Sequence, residues 1–469
     1  MSVSLTLRCH GCAAVVDVGD PALRNPFRCP NADRAPTVDH VLTWDPVSSG
    51  VPAWPTDAST NPYVRYRTLQ HAYWLNRSLG ATDADHVALV NRIDTSLQAV
   101  DRGFVVSPLM EFEYAAKSLG ISELWGKIDT RNVAGSHKAR HLMGILLHLE
   151  ARRISARIPL AIASCGNAAI AAATLGKASK RPVEVFIPTW VKQPVRDRLM
   201  ALGAKLVEAP RLASDPPGDP CLHRFHDALH RGALPFCVQG TENGLTIDGG
   251  ASLGHELADQ FAMLGFVPER LFIQTGGGAL GSSVFRGLCD AFALGAIGSI
   301  PRMHFVQAQG CAPLHRAWQR VARRALRSLG KEATLEDGDN VVAATLTAPE
   351  SQEAVDEALS FAVTHRSNFM TVWDEEPTSI ATGILDDETY DWFALVKAMI
   401  ATGGWPVVVT DRQIERALDI ACPNPDSSDC CDADYTGAAS FAGPIALADA
   451  GLVEPAERIV ALVTGAMRT

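Results

Sequence analysis

No apolar run in this sequence approaches the roughly 20 residues that a membrane-spanning helix requires. No block of Lys and Arg stands out to neutralise nucleic-acid phosphates either. With a formal net charge of -10 over 469 residues and a pI of about 5.8, neither a membrane nor a nucleic acid is expected as a partner. Residues 1–8 carry no basic segment followed by an apolar signal core, so a cytoplasmic location is expected. What is present is the composition of a globular protein, 47% hydrophobic and 20% charged, with a mean hydropathy of +0.05. The length exceeds what one small core needs and predicts two or three lobes. The 11 cysteines are scattered, which predicts free thiols rather than a disulfide framework.

A complete set of zinc-ribbon ligands is also lacking. Cys9-His10-Gly11-Cys12 is a C-x-x-C knuckle and Cys29-Pro30-Asn31 begins a second, but Ala32 stands near the place of a fourth ligand. Cys9, Cys12 and Cys29 could bind zinc with His40 or Asp33; the alternative is a metal-free unit that keeps the ribbon shape by hydrogen bonding. Asp429-Cys430-Cys431-Asp432 is set aside, because adjacent cysteines do not easily ligate one ion. Residues 1–44 read as a small cysteine-bearing unit, and 45–75 as a surface strap ending in a helix from about Thr68. Residues 107–120 read as a helical piece stopped by Gly120, and 326–350 as a polar loop or insertion.

Between these, short apolar strands alternate with helices: strands at 124–129, 160–163, 183–188, 271–274, 304–308 and 459–463, helices at 141–151, 168–175 and 196–202. Units of this length imply parallel sheets covered on both faces, with ligands at the carboxyl ends of the strands. Ala134-Gly135-Ser136-His137-Lys138 places a lysine at a helix start, where burial and the helix dipole favour its neutral amine, the form a Schiff-base lysine needs. Ser164-Cys165-Gly166-Asn167 precedes a helix and offers backbone N–H groups to a carboxylate, although an ordinary N-cap has the same look. Thr275-Gly276-Gly277-Gly278-Ala279-Leu280 joins a strand to a helix and suits a phosphate. It lacks the Gly-Lys-Ser/Thr ending of a nucleotide P-loop and the spacing of a dinucleotide fingerprint. Pro377 to Glu388, with its acidic Asp386-Asp387-Glu388, would face either the cleft or a partner subunit.

The lysine, the Ser-x-Gly-Asn turn, the glycine-rich turn and a last strand ending in Thr464-Gly465 follow one another in an order that resembles the fold-type II pyridoxal-phosphate enzymes, the tryptophan synthase β superfamily. Within it the chain looks most like the threonine synthase and threonine dehydratase branch, and its N-terminal unit is similar to that of some threonine synthases. The resemblance implies an α/β fold of two doubly wound lobes with largely parallel sheets, the cofactor in the cleft between them, beside the ribbon-like unit. Residues 45–137 and 271–469 would form a large cofactor-binding domain and 138–270 a smaller substrate-side domain. It implies that Lys138 carries pyridoxal phosphate as a Schiff base and moves the substrate α-proton. Asn167 would bond the cofactor's ring oxygen, and Gly276, Gly277, Gly278, Ala279 and Leu280 its phosphate. Thr464 would face the pyridine nitrogen. Ser164, Cys165, Gly166 and Asn167 would receive an amino-acid carboxylate, and His137 and His141 are candidates for substrate contact. A homodimer is implied as well.

The chain departs from the branch at informative places. Threonine synthases typically read Ser-Phe-Lys-Asp-Arg at the lysine, whereas this chain reads Ser136-His137-Lys138-Ala139-Arg140. Their Asn-Pro-x-Arg segment, whose arginine helps hold the substrate phosphate, matches Asn243-Gly244-Leu245-Thr246, with Thr246 in the arginine's place. A phosphate dianion without a guanidinium fork loses a bidentate contact. The expected activity is therefore a lyase acting on a β-hydroxy or β-substituted amino acid, by β-elimination or by β-replacement through the same intermediate. Threonine synthase acting on O-phosphohomoserine is the alternative, and a non-catalytic relative a minor one.

Overall fold

The computed structural model describes residues 3–18, 26–216, 218–422 and 431–466; Asp429 and Cys430 of the set-aside acidic-cysteine run lie outside them. Among the described residues no helix is long and apolar enough to cross a membrane. Near the N-terminus, β1 (Thr6–Cys9), β2 (Val15–Asp17) and β3 (Leu42–Thr43) pair antiparallel in the order β2-β1-β3. Their buried residues Leu7, Val16 and Leu42, with Phe27 and Trp44, belong to the same core as the lobe that follows.

Consecutive apolar residues become strands buried on both faces, as parallel sheets require. β4 (Leu109–Glu111) and β5 (Glu123–Ile128) open one sheet. β6 (Leu160–Ala163), β7 (Val183–Ile187), β8 (Lys205–Glu208) and β9 (Leu234–Pro235) form a second, wholly parallel one in the order β8-β7-β6-β9. β10 (Arg270–Gln274), β11 (Arg302–Ala308), β12 (Val407–Val409) and β13 (Arg458–Val463) complete the first sheet, in the order β12-β11-β10-β13-β5-β4. Every pairing in it is parallel except β4 with β5. β10 and β13 are central, and their Leu271, Phe272, Ile273 and 459–463 apolar runs are fully buried. The six- and four-stranded sheets each have their own apolar core, and the N-terminal sheet shares that of the second.

Two stretches differ from the sequence-based expectation. Residues 107–120 are not one helix. Leu109–Glu111 pairs antiparallel with β5 because Leu109 and Met110 find Lys127 and Gly126 in register. The helix is only Glu113–Leu119, ended as expected by Gly120 at φ +71°. Residues 326–350 are not a loop: they hold the end of the helix Pro313–Ser328, a 3-10 turn Glu332–Glu336 and the helix Asp339–Thr347. Val342, Ala343 and Leu346 of that last helix are buried. A polar composition concealed this short apolar face.

Candidate active site

The carboxyl ends of β10, β13 and β6 converge on one cavity of about 320 Å³. Its walls include His137, Lys138, Ser164 to Ala168, Gln274 to Leu280, Thr464 and Gly465. The motifs singled out along the chain thus meet in space.

Lys138 is the first residue of the helix Lys138–Ala151, whose N-terminus has no side-chain cap. The chain enters through Ala134 and Gly135, both with positive φ, +59° and +65°. Ser136 bridges to Gly465, and Ala466 N–H donates to the Gly135 carbonyl at 2.9 Å. The end of β13 thereby holds the approach to the lysine. Burial lowers the Lys138 amine below an ordinary lysine, against the attraction of Asp386 and Asp391.

One turn of helix fixes this position by charge. The guanidinium of Arg140 donates to Asp129 at 2.9 Å and to Glu256 at 2.7 Å, and Lys127 Nζ donates to the other oxygen of Glu256 at 2.6 Å. All four side chains have no exposed surface. Two cations and two anions balance, the condition under which buried charges persist. Tyr63 Oη adds a bond to the Arg140 carbonyl at 2.8 Å.

Opposite the lysine, Gly276 to Gly278 lead into the helix Ala279–Ala293, with Gly278 at φ +97°. Thr389 Oγ1 donates to the Gly276 carbonyl at 2.9 Å, and Asp391 N–H to the Gly277 carbonyl at 3.0 Å. The loop's carbonyls are thus engaged from behind. The Asp386 carboxyl sits against the Gly277 N–H, and burial raises its pKa against Lys138 and that N–H. A Cβ on Gly276 would collide with that carboxylate, and one on Gly277 would lie 2.8 Å from the Tyr390 ring. Only glycine leaves this cradle open.

The turn after β6 behaves similarly. Asn167 opens the helix Asn167–Ser179, and no side chain caps that end. Among the described residues no side chain takes the N-cap role, which leaves the helix start uncapped. Ser164 Oγ accepts from the Gly166 N–H at 3.4 Å. At the cavity floor Gln274 Nε2 donates to Thr464 Oγ1 at 2.7 Å. Among the described residues the threonine's own proton meets no acceptor, so the hydroxyl can still donate toward the cavity. Gln274 Oε1 is buried without a partner.

His137 and His141 are linked, Nδ1 to Nε2, at 3.0 Å, and His141 Nδ1 lies 3.0 Å from the Thr246 carbonyl. A carbonyl only accepts, so His141 Nδ1 carries its proton and its Nε2 must receive one from His137 Nδ1. His137 then presents an unprotonated Nε2. Burial pushes His137 well below the usual imidazole range and His141 down to about 3. Thr246 itself is fully buried behind His141 and does not line the cavity. The position matched to the family's arginine therefore does not line the cavity, and its carbonyl is engaged by His141.

Sequence reasoning missed Gln274, Tyr390, Gln239 and Asp219 as wall residues, and of the acidic segment it did not single out Asp386. No motif marks them; they arrive from separate loops. Away from the cavity, Cys9, Cys12, Cys29 and His40 cluster with their ligand atoms within 4.8 Å of one another.

Comparison with known proteins gives the family and the fold. The family described as "Pyridoxal-phosphate dependent enzyme" matches residues 100–465. A threonine synthase of Methanosarcina acetivorans is 25% identical over 369 residues, covering 76% of this chain and 74% of that protein. A cysteate synthase of Methanospirillum hungatei is 24% identical over 367 residues, covering 75% of this chain and 73% of that protein. In structure, a processed threonine deaminase isoform 2 from Solanum lycopersicum superposes with a TM-score of 0.56 at 16% identity, covering 83% of this chain and 86% of that one.

Proposed function

The chain belongs to the pyridoxal-phosphate dependent enzyme family, and from that premise we propose that it is a lyase removing the β-substituent of an amino acid whose side chain carries no phosphate. Bound pyridoxal phosphate supplies an electron sink that stabilises charge on the substrate's α-carbon. The residues that would hold it are Lys138 at the carbonyl carbon, Gly276 to Leu280 at the phosphate, Asn167 at the ring oxygen and Thr464 at the ring nitrogen. The hydroxyl at 464, in place of a carboxylate, would leave that nitrogen unprotonated and moderate the sink.

The chain's own groups do the rest. The uncapped start of the helix Asn167–Ser179 holds the substrate carboxylate through its N–H groups. Lys138, its amine pKa lowered by burial, takes the α-proton and returns it to the departing group or the product. The buried Arg140 cluster keeps that amine in register with the cavity.

One observation carries the choice of substrate. Among the described residues no arginine lines the cavity, Lys138 is its only amine, and Asp219 and Asp386 face it. A distal phosphate on the substrate would meet two carboxylates and no guanidinium. A neutral or cationic β-substituent meets no such penalty. The likeness to threonine synthases supports the second reading, β,γ-replacement on O-phosphohomoserine.

The test is product analysis by NMR on the purified protein with added pyridoxal phosphate. It would be offered O-phosphohomoserine and a panel of β-hydroxy and β-amino amino acids. A 2-oxo acid and ammonia from the panel, with O-phosphohomoserine untouched, is the expected result. Threonine and free phosphate from O-phosphohomoserine would overturn it.

A further inference from the structure

We propose that the N-terminal unit holds one zinc ion on Cys9, Cys12, Cys29 and His40, and that this centre braces the phosphate-binding side of the active site. The four ligand atoms lie within 4.8 Å of one another. Cys12 Sγ and Cys29 Sγ are 3.5 Å apart, and Cys9 Sγ is 3.4 Å from His40 Nδ1. Tetrahedral zinc with bonds of about 2.0 to 2.3 Å separates its ligands by about 3.5 to 3.8 Å, so the cluster is already close to closed-site geometry.

The surroundings are those of metal ligands. His40 Nε2 lies 3.1 Å from the Ala35 carbonyl. It must therefore carry the ring proton, which leaves Nδ1 as a lone pair turned toward the sulfurs. A backbone carbonyl holding the other ring nitrogen is the usual outer support of a metal-bound imidazole. Asn31 donates to two of the sulfurs, through N–H to Cys29 at 3.5 Å and through Nδ2 to Cys12 at 3.6 Å. Such donors stabilise thiolates. Asp33, the alternative fourth ligand, is instead exposed and paired with Arg28 at 2.7 Å. Three sulfurs and one imidazole favour zinc over magnesium or calcium, which take oxygen ligands.

The knuckle is tied to the cavity wall by one short path. His10, between the two knuckle cysteines, meets Asp39 at 2.8 Å, and Trp392 Nε1 donates to the same carboxylate at 3.2 Å. The neighbouring Asp391 N–H holds the Gly277 carbonyl. Fixing Cys9 and Cys12 on an ion fixes His10, and with it the support behind the glycine turn.

Metal content of the full-length protein, purified with pyridoxal phosphate under reducing conditions, tests this by elemental analysis. Cobalt(II) exchange reports the ligand set through its thiolate charge-transfer absorbance. About one zinc per chain is expected, with a tetrahedral cobalt spectrum of thiolate character. His40→Ala and Cys12→Ser should each lower zinc affinity at least about tenfold, and Asp33→Asn should leave it unchanged. If the variants fail to fold, the wild-type cobalt spectrum alone decides. The proposal is overturned by wild-type protein that binds neither zinc nor cobalt. It is equally overturned if both ligand variants keep full zinc, or if Cys12 and Cys29 are found joined in a disulfide.

Discussion

Replacing Glu256 by glutamine removes one charge from a sealed cluster, and the cost can be worked from the geometry. Glu256 accepts from Arg140, from Lys127 and from the Ser107 N–H at 2.7, 2.6 and 2.9 Å. In the variant the amide meets a cation donor to donor, and Lys127, Arg140 and Asp129 leave a net charge of about +1 without solvent. Breaking such a pair costs about 3–5 kcal/mol. Lys127 can limit the loss by shedding its proton, since burial already lowers its pKa. Neutralising an ordinary lysine at pH 7 costs about 4–5 kcal/mol, which bounds the electrostatic part.

Two consequences follow, both measurable by urea unfolding followed through tryptophan fluorescence. Lys127→Met added to Glu256→Gln restores neutrality, because Arg140 and Asp129 remain, so the double variant should recover about 2 kcal/mol or more over the single one. A Lys127 neutral in the folded variant and protonated in its unfolded chain makes stability rise with pH. The slope is about 1.4 kcal/mol per unit between the lowered folded pKa and the ordinary lysine value. In wild type, where Glu256 raises the Lys127 pKa against burial, the slope should begin at a higher pH. Additive single effects, or a Glu256→Gln protein within about 1 kcal/mol of wild type, would refute this account of the cluster.

Gly277→Ala places a Cβ 2.8 Å from the Tyr390 ring and should weaken pyridoxal-phosphate binding about tenfold or more, read by titrating the cofactor's visible absorbance. Unchanged affinity would remove the glycine turn from the phosphate site. His137→Phe addresses acid stability. In wild type His137 is neutral when folded, its pKa lowered first by burial and then by Lys138 and His141, but takes a proton when unfolded. Its contribution is therefore present above about pH 6.5 and falls by about 1.4 kcal/mol per unit below it. The variant should show an acid limb shallower by about that amount in unfolding measured from pH 7.5 to 5; identical limbs would contradict the neutral assignment.

Much of the site was legible because its parts are local. A glycine run between strand and helix, a lysine at a helix start and a small-residue turn each declare themselves within a few residues, and the parallel sheets bring strand ends together without further instruction. The illegible parts are those assembled across the chain. Nothing local marks Arg140, whose partners close around it from the end of β5 (Lys127 and Asp129) and from the helix Ser252–Leu264 (Glu256). Asp386 and Tyr390 come from a loop more than 100 residues beyond the glycine turn they face. Thr246 was matched to the family's phosphate-holding arginine as a lost contact, and its side chain is buried and does not line the cavity. His40 was one of two candidates for a fourth ligand, and only the fold separates it from Asp33.

The charges also divide the labour of the site. Cations and anions beneath the lysine helix cancel in a dry cluster, so they fix position without projecting a field. The groups facing the cavity do not cancel. A phosphate on the glycine turn would face Asp219 and a buried Asp386 whose pKa burial raises, while the histidine pKa values are lowered by burial and then by Lys138. A second anionic group on the substrate would have to enter against that field with Lys138 already committed to chemistry. Selectivity for substrates without a phosphate would then rest as much on what faces the cavity as on the arginine it lacks.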